Sequence, residues 1–197
     1  DFSFIKEAKK GEDIEIVLDK TPFYPERGGQ IGDKGSLVGD NFEIEVHDAK
    51  MFIEGLILHK SMIKQGTVGV GETVKAIVNE EFRKGIANAH TSTHLLHSAL
   101  RTVIGAHITQ AGSWVGENEL RFDFTHFASL SNDEIKAVES LVNKEIYSHI
   151  ELNSYETTLE DAKTSGALAF FEEKYGEKVR VVRISDVSLE LCGGTHV

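Results

Sequence analysis

His90-Thr91-Ser92-Thr93-His94 and Cys192-Gly193-Gly194-Thr195-His196 each place two nitrogen or sulfur donors four residues apart. One thiolate with three imidazoles is the donor set that zinc prefers, in a tetrahedron with bonds of about 2.0–2.3 Å. Cys192 is the single cysteine of the chain, so no intramolecular disulfide explains it. The two stretches are 192 − 90 = 102 residues apart. A site therefore forms only in a fold that closes that gap, and the rest of the chain is read around this requirement.

Working outward from the histidines, Phe82, Ile86, Ala89, Leu96, Ala99, Leu100 and Val103 recur at three- and four-residue intervals and predict a helix over 80–104. His90 and His94 then share one face of it, with His97 a further three residues on. No glutamate follows His90, so this is not the HExxH of zinc peptidases. The H-x-E and P-C-x-x-C pairing of zinc deaminases is missing too. Around the second pair, Gly193-Gly194 disfavours continued helix and fits a tight turn at the end of a strand through Ser188-Leu189-Glu190-Leu191. His196 is the donor with least chain around it to hold it in place.

Residues 1–80 read as β-rich, with strand-like runs at Ile14–Leu18, Phe42–Val46, Gly55–Leu58 and Val74–Val78 between glycine, aspartate and asparagine punctuation. Short strands at this spacing suggest a small barrel or sandwich. Within them, Thr21-Pro22-Phe23-Tyr24-Pro25-Glu26-Arg27-Gly28-Gly29-Gln30 and the glycines at 32 and 35 specify a defined backbone path, because both prolines of the chain sit here. Such a loop can approach a ligand closely, but from this stretch alone a tight inter-strand connection is the favoured reading.

Residues 81–197 read as a mixed core. A hairpin is expected over 107–124, with Leu120, Phe122 and Phe124 on one face of its second arm. Gln110, in its first arm, either faces solvent or reaches the histidine site. Ser131-Asn132-Asp133-Glu134 is a capping box opening a helix to about His149. A strand near 152–157, a short helix near 159–163 and a central strand at 179–184 follow, after the aromatic and charged run at 170–175. The expected class is α+β: a small, glycine-rich, β-barrel-like subdomain followed by an α/β sandwich core carrying a metal site.

The composition, 40% hydrophobic and 27% charged, is that of a globular domain. One cysteine fits a reducing compartment, and neither a signal peptide nor a membrane span is visible. The first residue is not Met and the chain stops just after His196, which suggests a piece of a longer protein. The net charge of −11 opposes tight independent binding to nucleic acid, whose recognition draws on phosphate neutralisation.

Four ordered stretches, TPFYPERGGQIGDKG, HTSTHLLHSALRTVIGAHITQAGSWV, LRFDF and GEKVRVVRISDVSLELCGGTH, resemble the editing region of the alanyl-tRNA synthetase family. AlaX-type trans-editing proteins and, more distantly, the threonyl-tRNA synthetase editing domain share the core motifs. The resemblance covers essentially the whole chain. It implies an editing hydrolase that deacylates mischarged Ser-tRNA(Ala) and Gly-tRNA(Ala), in the cytoplasm and without a membrane partner. Its partners would be the acceptor end of tRNA(Ala) and the remainder of a synthetase chain in cis. Carried over by residue, it implies Zn²⁺ held by His90, His94, Cys192 and His196. It also implies substrate contacts from Thr21, Gln110, Gly28 and Gly29; the chemistry of ester hydrolysis suits a zinc-bound water as the catalytic group, and no side-chain base is assigned. The synthetase's ATP-binding core has no counterpart in these motifs, so editing and not charging is expected. Two other readings compete: a free-standing AlaX-type protein, and a structural-zinc tRNA-binding module without catalysis.

Overall fold

Strand β4 (Glu43–Ile53) buries Ile44 and Val46 on one face, and a bulge between Val46 and Asp48 then shifts the buried parity so that Ala49 continues that face. An extra residue in one strand of a pair has this effect on the alternation of side chains. The strand lies in a computed structural model of the chain, in which residues 3–169 and 176–197 are described. The run at 170–175 singled out from the sequence lies outside the described residues. The chain divides into two units, Asp1–Ile86 and Ala87–Val197, and the division falls inside the first helix, α1 (Glu80–Val103).

In the first unit, β4 pairs with β5 (Leu56–Gln65), β2 (Asp13–Ile16), β3 (Gly35–Val38) and β7 (Lys75–Val78) complete an antiparallel sheet, and the order is β2-β5-β4-β3-β7. A separate two-stranded ladder joins β1 (Glu7–Lys9) to β6 (Thr67–Gly69). Among the described residues the barrel-like subdomain expected from the sequence is not found, because β2 and β7 stand at opposite edges and the sheet stays open. Alternation of period two specifies which face of a strand is buried but says nothing about which strands pair, so it fits open and closed sheets alike. The core beneath the sheet gathers Phe23, Leu37, Phe42, Ile44, Val46, Ala49 and Ile63.

Asn79 starts α1: its side-chain oxygen accepts from the backbone N–H of Phe82 at 3.0 Å, and Glu80 and Glu81 occupy the first turn, where the helix dipole favours negative charge. Arg101, in the last turn, donates to the carbonyls of Ala106 and Ile108, each at 2.8 Å. The helix is thus capped by a side chain at its start, and the loop after it is held by one from its last turn.

In the second unit, β10 (Leu152–Thr158), β11 (Lys178–Ile184) and β12 (Ser188–Leu191) form an antiparallel sheet in that order. Strand β11 is buried on both sides. Val179 and Val181 pack with Ala162 of α3 (Leu159–Thr164), while Val182 and Ile184 pack with Leu95 of α1 and Val142 of α2 (Asn132–Tyr147). Helices therefore cover both faces of this sheet. The Ser131 capping box predicted for α2 is present in full, with Glu134 N–H donating to Ser131 Oγ at 3.3 Å and Ser131 N–H to Glu134 Oε2 at 2.7 Å. The hairpin of β8 (Gln110–Val115) and β9 (Leu120–Phe124) places Phe122 and Phe124 against Ala99, Leu100 and Ile108.

Candidate metal centre and a hydroxyl held by histidine

The four-residue spacing on α1 brings His90 and His94 to one face, their rings stacked with centroids 5.6 Å apart, and both are buried. Cys192 follows β12 directly, and the glycine turn carries His196 back to the same point. The donor atoms of His90, His94, Cys192 and His196 all lie within 4.8 Å of one another. Cys192 Sγ stands 3.4 Å from His90 Nε2 and 3.3 Å from His196 Nε2.

These distances test the fit to zinc. A tetrahedron with bonds of about 2.0–2.3 Å has edges of about 3.3–3.6 Å between donors. The two sulfur–nitrogen separations match such edges. The whole set lies within 4.8 Å and would draw in by about 1 Å at its widest on binding. A thiolate with imidazoles is a donor set suited to zinc. The residues present fit the ion.

A second ring of side chains sets which nitrogen each histidine turns inward. Glu190 Oε2 lies 2.8 Å from His94 Nδ1, an approach bent away from a linear hydrogen bond but close enough to fix the ring, so that Nε2 is the nitrogen turned to the donor cluster. Glu190 Oε1 lies 3.0 Å from His97 Nδ1 and accepts from Ser188 Oγ at 3.0 Å. Thr91 Oγ1 is 3.2 Å from His196 Nδ1 and also accepts from the backbone N–H of Val197 at 3.3 Å. Arg180 donates to the carbonyls of Cys192 at 3.3 Å and Gly194 at 2.6 Å, which pins the glycine turn. His196 is thus held on both sides, against the expectation that it is the least restrained donor.

Electrostatics follow from this packing. Burial pushes the Cys192 thiol up, but hydrogen bonds with His196, His90 and His94 outweigh it and hold the thiol well below its ordinary value. Burial likewise opposes ionisation of Glu190, yet its bonds to His94 and His97 hold it at about 2. Burial disfavours the charged form of His94, but Cys192 and Glu190 together raise it to about 10. His196 is lowered to about 4 by burial, which the bond to Cys192 only partly offsets. The half-buried Cys192 thiol and the buried Glu190 carboxyl are thus both favoured as anions beside His94, which is itself favoured as a cation between them.

In the first unit, Gly28 and Gly29 have φ of +62° and +85°, and Arg27 and Gln30 exchange both backbone hydrogen bonds at 3.1 Å. This is a two-residue hairpin turn with positive φ at both central residues, which asks for glycine. Gly32 is required for a different reason: a Cβ there would stand 2.2 Å from the Ala49 carbonyl oxygen. Buried Asp33 accepts from the Tyr24 N–H at 2.5 Å and from Arg83 Nε at 3.1 Å, fixing the loop to the start of α1. Thr21, at the head of the loop, contacts buried His59 of β5 at 2.7 Å from Oγ1 to Nε2. Gln110 belongs to the second unit, half-buried at the start of β8, where its amide donates to Ser113 Oγ at 3.1 Å.

Of the residues proposed from the sequence, the fold gathers the four metal donors into one cluster. Thr21, Gly28 and Gly29 lie in the first unit, and Gln110 in the second. Sequence reasoning missed Glu190, Thr91, Arg180 and His59. Glu190 had a usable signal, since two residues before Cys192 on a strand is the same face. The others meet their partners across long stretches of chain and carry no local pattern.

Residues 1–82 match the family model described as tRNA synthetases class II (A), and residues 179–197 that described as Threonyl and Alanyl tRNA synthetase second additional domain. The chain is 51% identical over 195 residues to the alanine--tRNA ligase of Petrotoga mobilis, which takes in 99% of this chain and 22% of that protein. It is 48% identical over 193 residues to the alanine--tRNA ligase of Acetivibrio thermocellus, covering 98% and 22%. Against that of Bacillus subtilis it is 46% identical over 197 residues, covering 100% and 22%. The chain spans about a fifth of the length of these relatives, and over nearly all of its own length it is similar to that segment of alanine--tRNA ligases.

Proposed function

We propose that this chain is the editing portion of an alanine--tRNA ligase, hydrolysing the ester of Ser-tRNA(Ala) and Gly-tRNA(Ala). The observation that carries the reading is the convergence of His90, His94, Cys192 and His196, in a chain similar to part of these ligases and matching their second additional domain at its end. The substrate would be the acceptor end of tRNA(Ala), with the rest of the synthetase in cis supplying the RNA affinity that a charge of −11 withholds.

The reaction is acyl transfer from ribose to water. Held by those four residues, zinc would supply Lewis acidity and a lowered pKa for water, to about 7. The chain's own residues have separate tasks. Glu190 and Thr91 orient His94 and His196. Thr21 and Gln110 read the seryl hydroxyl, with Gly28 and Gly29 shaping the loop. A pocket built to bond a hydroxyl rejects an analogue lacking it by about 10⁴-fold, because its own polar groups are left unpaired. Alanine is spared in this way, whereas the removal of glycine, which also lacks a hydroxyl, rests on something other than this contact.

A second reading, a structural zinc module, is favoured by one specific observation: four protein donors lie within 4.8 Å of one another, as many as zinc takes in a closed structural site. Metal content measured together with deacylation of Ser-tRNA(Ala) separates the two. Zinc-dependent hydrolysis that is lost in Cys192→Ala with the fold intact supports editing. Zinc without hydrolysis, at high protein and low salt, supports the structural module.

A further inference from the structure

His59 is a fully buried histidine of the first unit whose bonds dictate the direction of a neighbouring hydroxyl. Its Nδ1 lies 2.9 Å from the backbone carbonyl oxygen of Ile16. A carbonyl only accepts, so Nδ1 carries the proton. The neutral ring then presents a bare lone pair at Nε2, 2.7 Å from Thr21 Oγ1, and the threonine must donate to it. Thr21 Oγ1 also accepts from the backbone N–H of Phe23 at 3.1 Å. A hydroxyl has one hydrogen and two lone pairs. The hydrogen and one lone pair are taken, and the single remaining valence is an acceptor on a half-buried residue. The Phe23 ring, edge-on to His59 with centroids 5.3 Å apart, closes the imidazole from another side. Burial also disfavours the imidazolium, which would reverse the polarity.

We infer that His59 locks the Thr21 hydroxyl as an acceptor only, so that the ligand group recognised at Thr21 is a hydrogen-bond donor. The inference rests on the proposed role of Thr21 in reading the amino-acid hydroxyl, and it adds a direction to that reading. A seryl hydroxyl would donate to Thr21. A group of similar size that only accepts would meet two lone pairs facing each other and be refused. His59 is a positioning residue: it acts through Thr21.

Direction and function are tested separately. In the 197-residue chain labelled with ¹⁵N-histidine, long-range ¹H–¹⁵N correlation spectra above pH 7 should show His59 protonated at Nδ1, with an Nε2 resonance that moves in Thr21→Val. A proton on Nε2 overturns the inference. In deacylation, a 3-fluoroalanyl ester, which is near serine in size but has no donor, should be cleaved as slowly as the alanyl ester. Cleavage of it at the seryl rate overturns the inference. His59→Phe should lower the seryl-to-alanyl hydrolysis ratio at least tenfold, with recovery in His59→Gln, whose amide again offers a donor and an acceptor. If His59→Phe fails to fold, the ratio in His59→Gln at the wild-type level and the 3-fluoroalanyl rate decide. If Thr21→Val leaves the seryl-to-alanyl ratio unchanged, the reading of Thr21 itself falls, while the tautomer spectrum still judges the direction of the bond.

Discussion

Nδ1 of His94 stands 2.8 Å from Oε2 of Glu190, and that pairing turns the other nitrogen of the ring toward Cys192. The same carboxylate reaches His97 Nδ1 at 3.0 Å with its second oxygen, so one buried acid orients two imidazoles of a single helix face. Carboxylate–histidine–metal arrangements of this kind fix the tautomer and the aim of a ligand.

Glu190→Ala should therefore lower zinc affinity by about 10–100-fold without changing any of the four donors. Competition against a chelator of known affinity measures this. Zinc affinity equal to that of the parent chain would mean that His94 is oriented by packing alone.

Removing the metal should destabilise the chain by mass action. Zinc at about 100 times its dissociation constant adds about 2.7 kcal/mol to the folded state. Thermal unfolding with and without chelator should show a lower midpoint without metal, and Cys192→Ser should show little further drop on chelation. A midpoint that chelator leaves unmoved in the parent chain excludes a zinc site of useful affinity.

Arg180 bonds the carbonyls of both Cys192 and Gly194, and its second nitrogen donates to Ser154 Oγ at 3.2 Å. A charge-assisted hydrogen bond contributes about 1.5–3 kcal/mol, so Arg180→Met should destabilise the second unit by at least about 1.5 kcal/mol through loss of the short bond to Gly194 alone. It should also raise the zinc dissociation constant by loosening the glycine turn. Urea unfolding followed at Trp114, on the β8–β9 hairpin of that unit, reports the first effect. Arg180→Lys should recover little, because an ammonium cannot span acceptors as the planar guanidinium does.

His59 makes acid stability a readout of the first unit. Burial lowers its pKa below the ordinary 6.5, with the bond to Ile16 pulling the other way. The unfolded chain then binds more protons than the folded one between the folded value and about 6.5, so stability rises with pH across that window. Its contribution is full above about pH 6.5 and is lost as the pH falls through the lower folded value, with a slope of at most about 1.4 kcal/mol per pH unit. His59→Gln should flatten that part of the curve. The difference between the two proteins isolates His59 from the other histidines. Parallel curves would show that His59 titrates normally.

The local features of this protein are written in its sequence because they depend on neighbours in the chain. The 3.6-residue rhythm of Phe82, Ile86, Leu96 and Val103 marks α1, the Ser131 box marks the start of α2, and alternation through 120–124 marks β9. The four donors were legible as well, since spacing on a helix and around a glycine turn is a local property. Their convergence is tertiary: Cys192 reaches His90 only because β12 pairs with β11, and β11 buries Val182 and Ile184 against Leu95 of α1. The same limit explains the barrel that is instead an open sheet, and the contacts of Thr91 and His59 that no motif announced. Strand order and contacts across 38 or 105 residues, as for Thr21 with His59 and Thr91 with His196, are settled by packing of the whole chain. No short-range pattern carries that information.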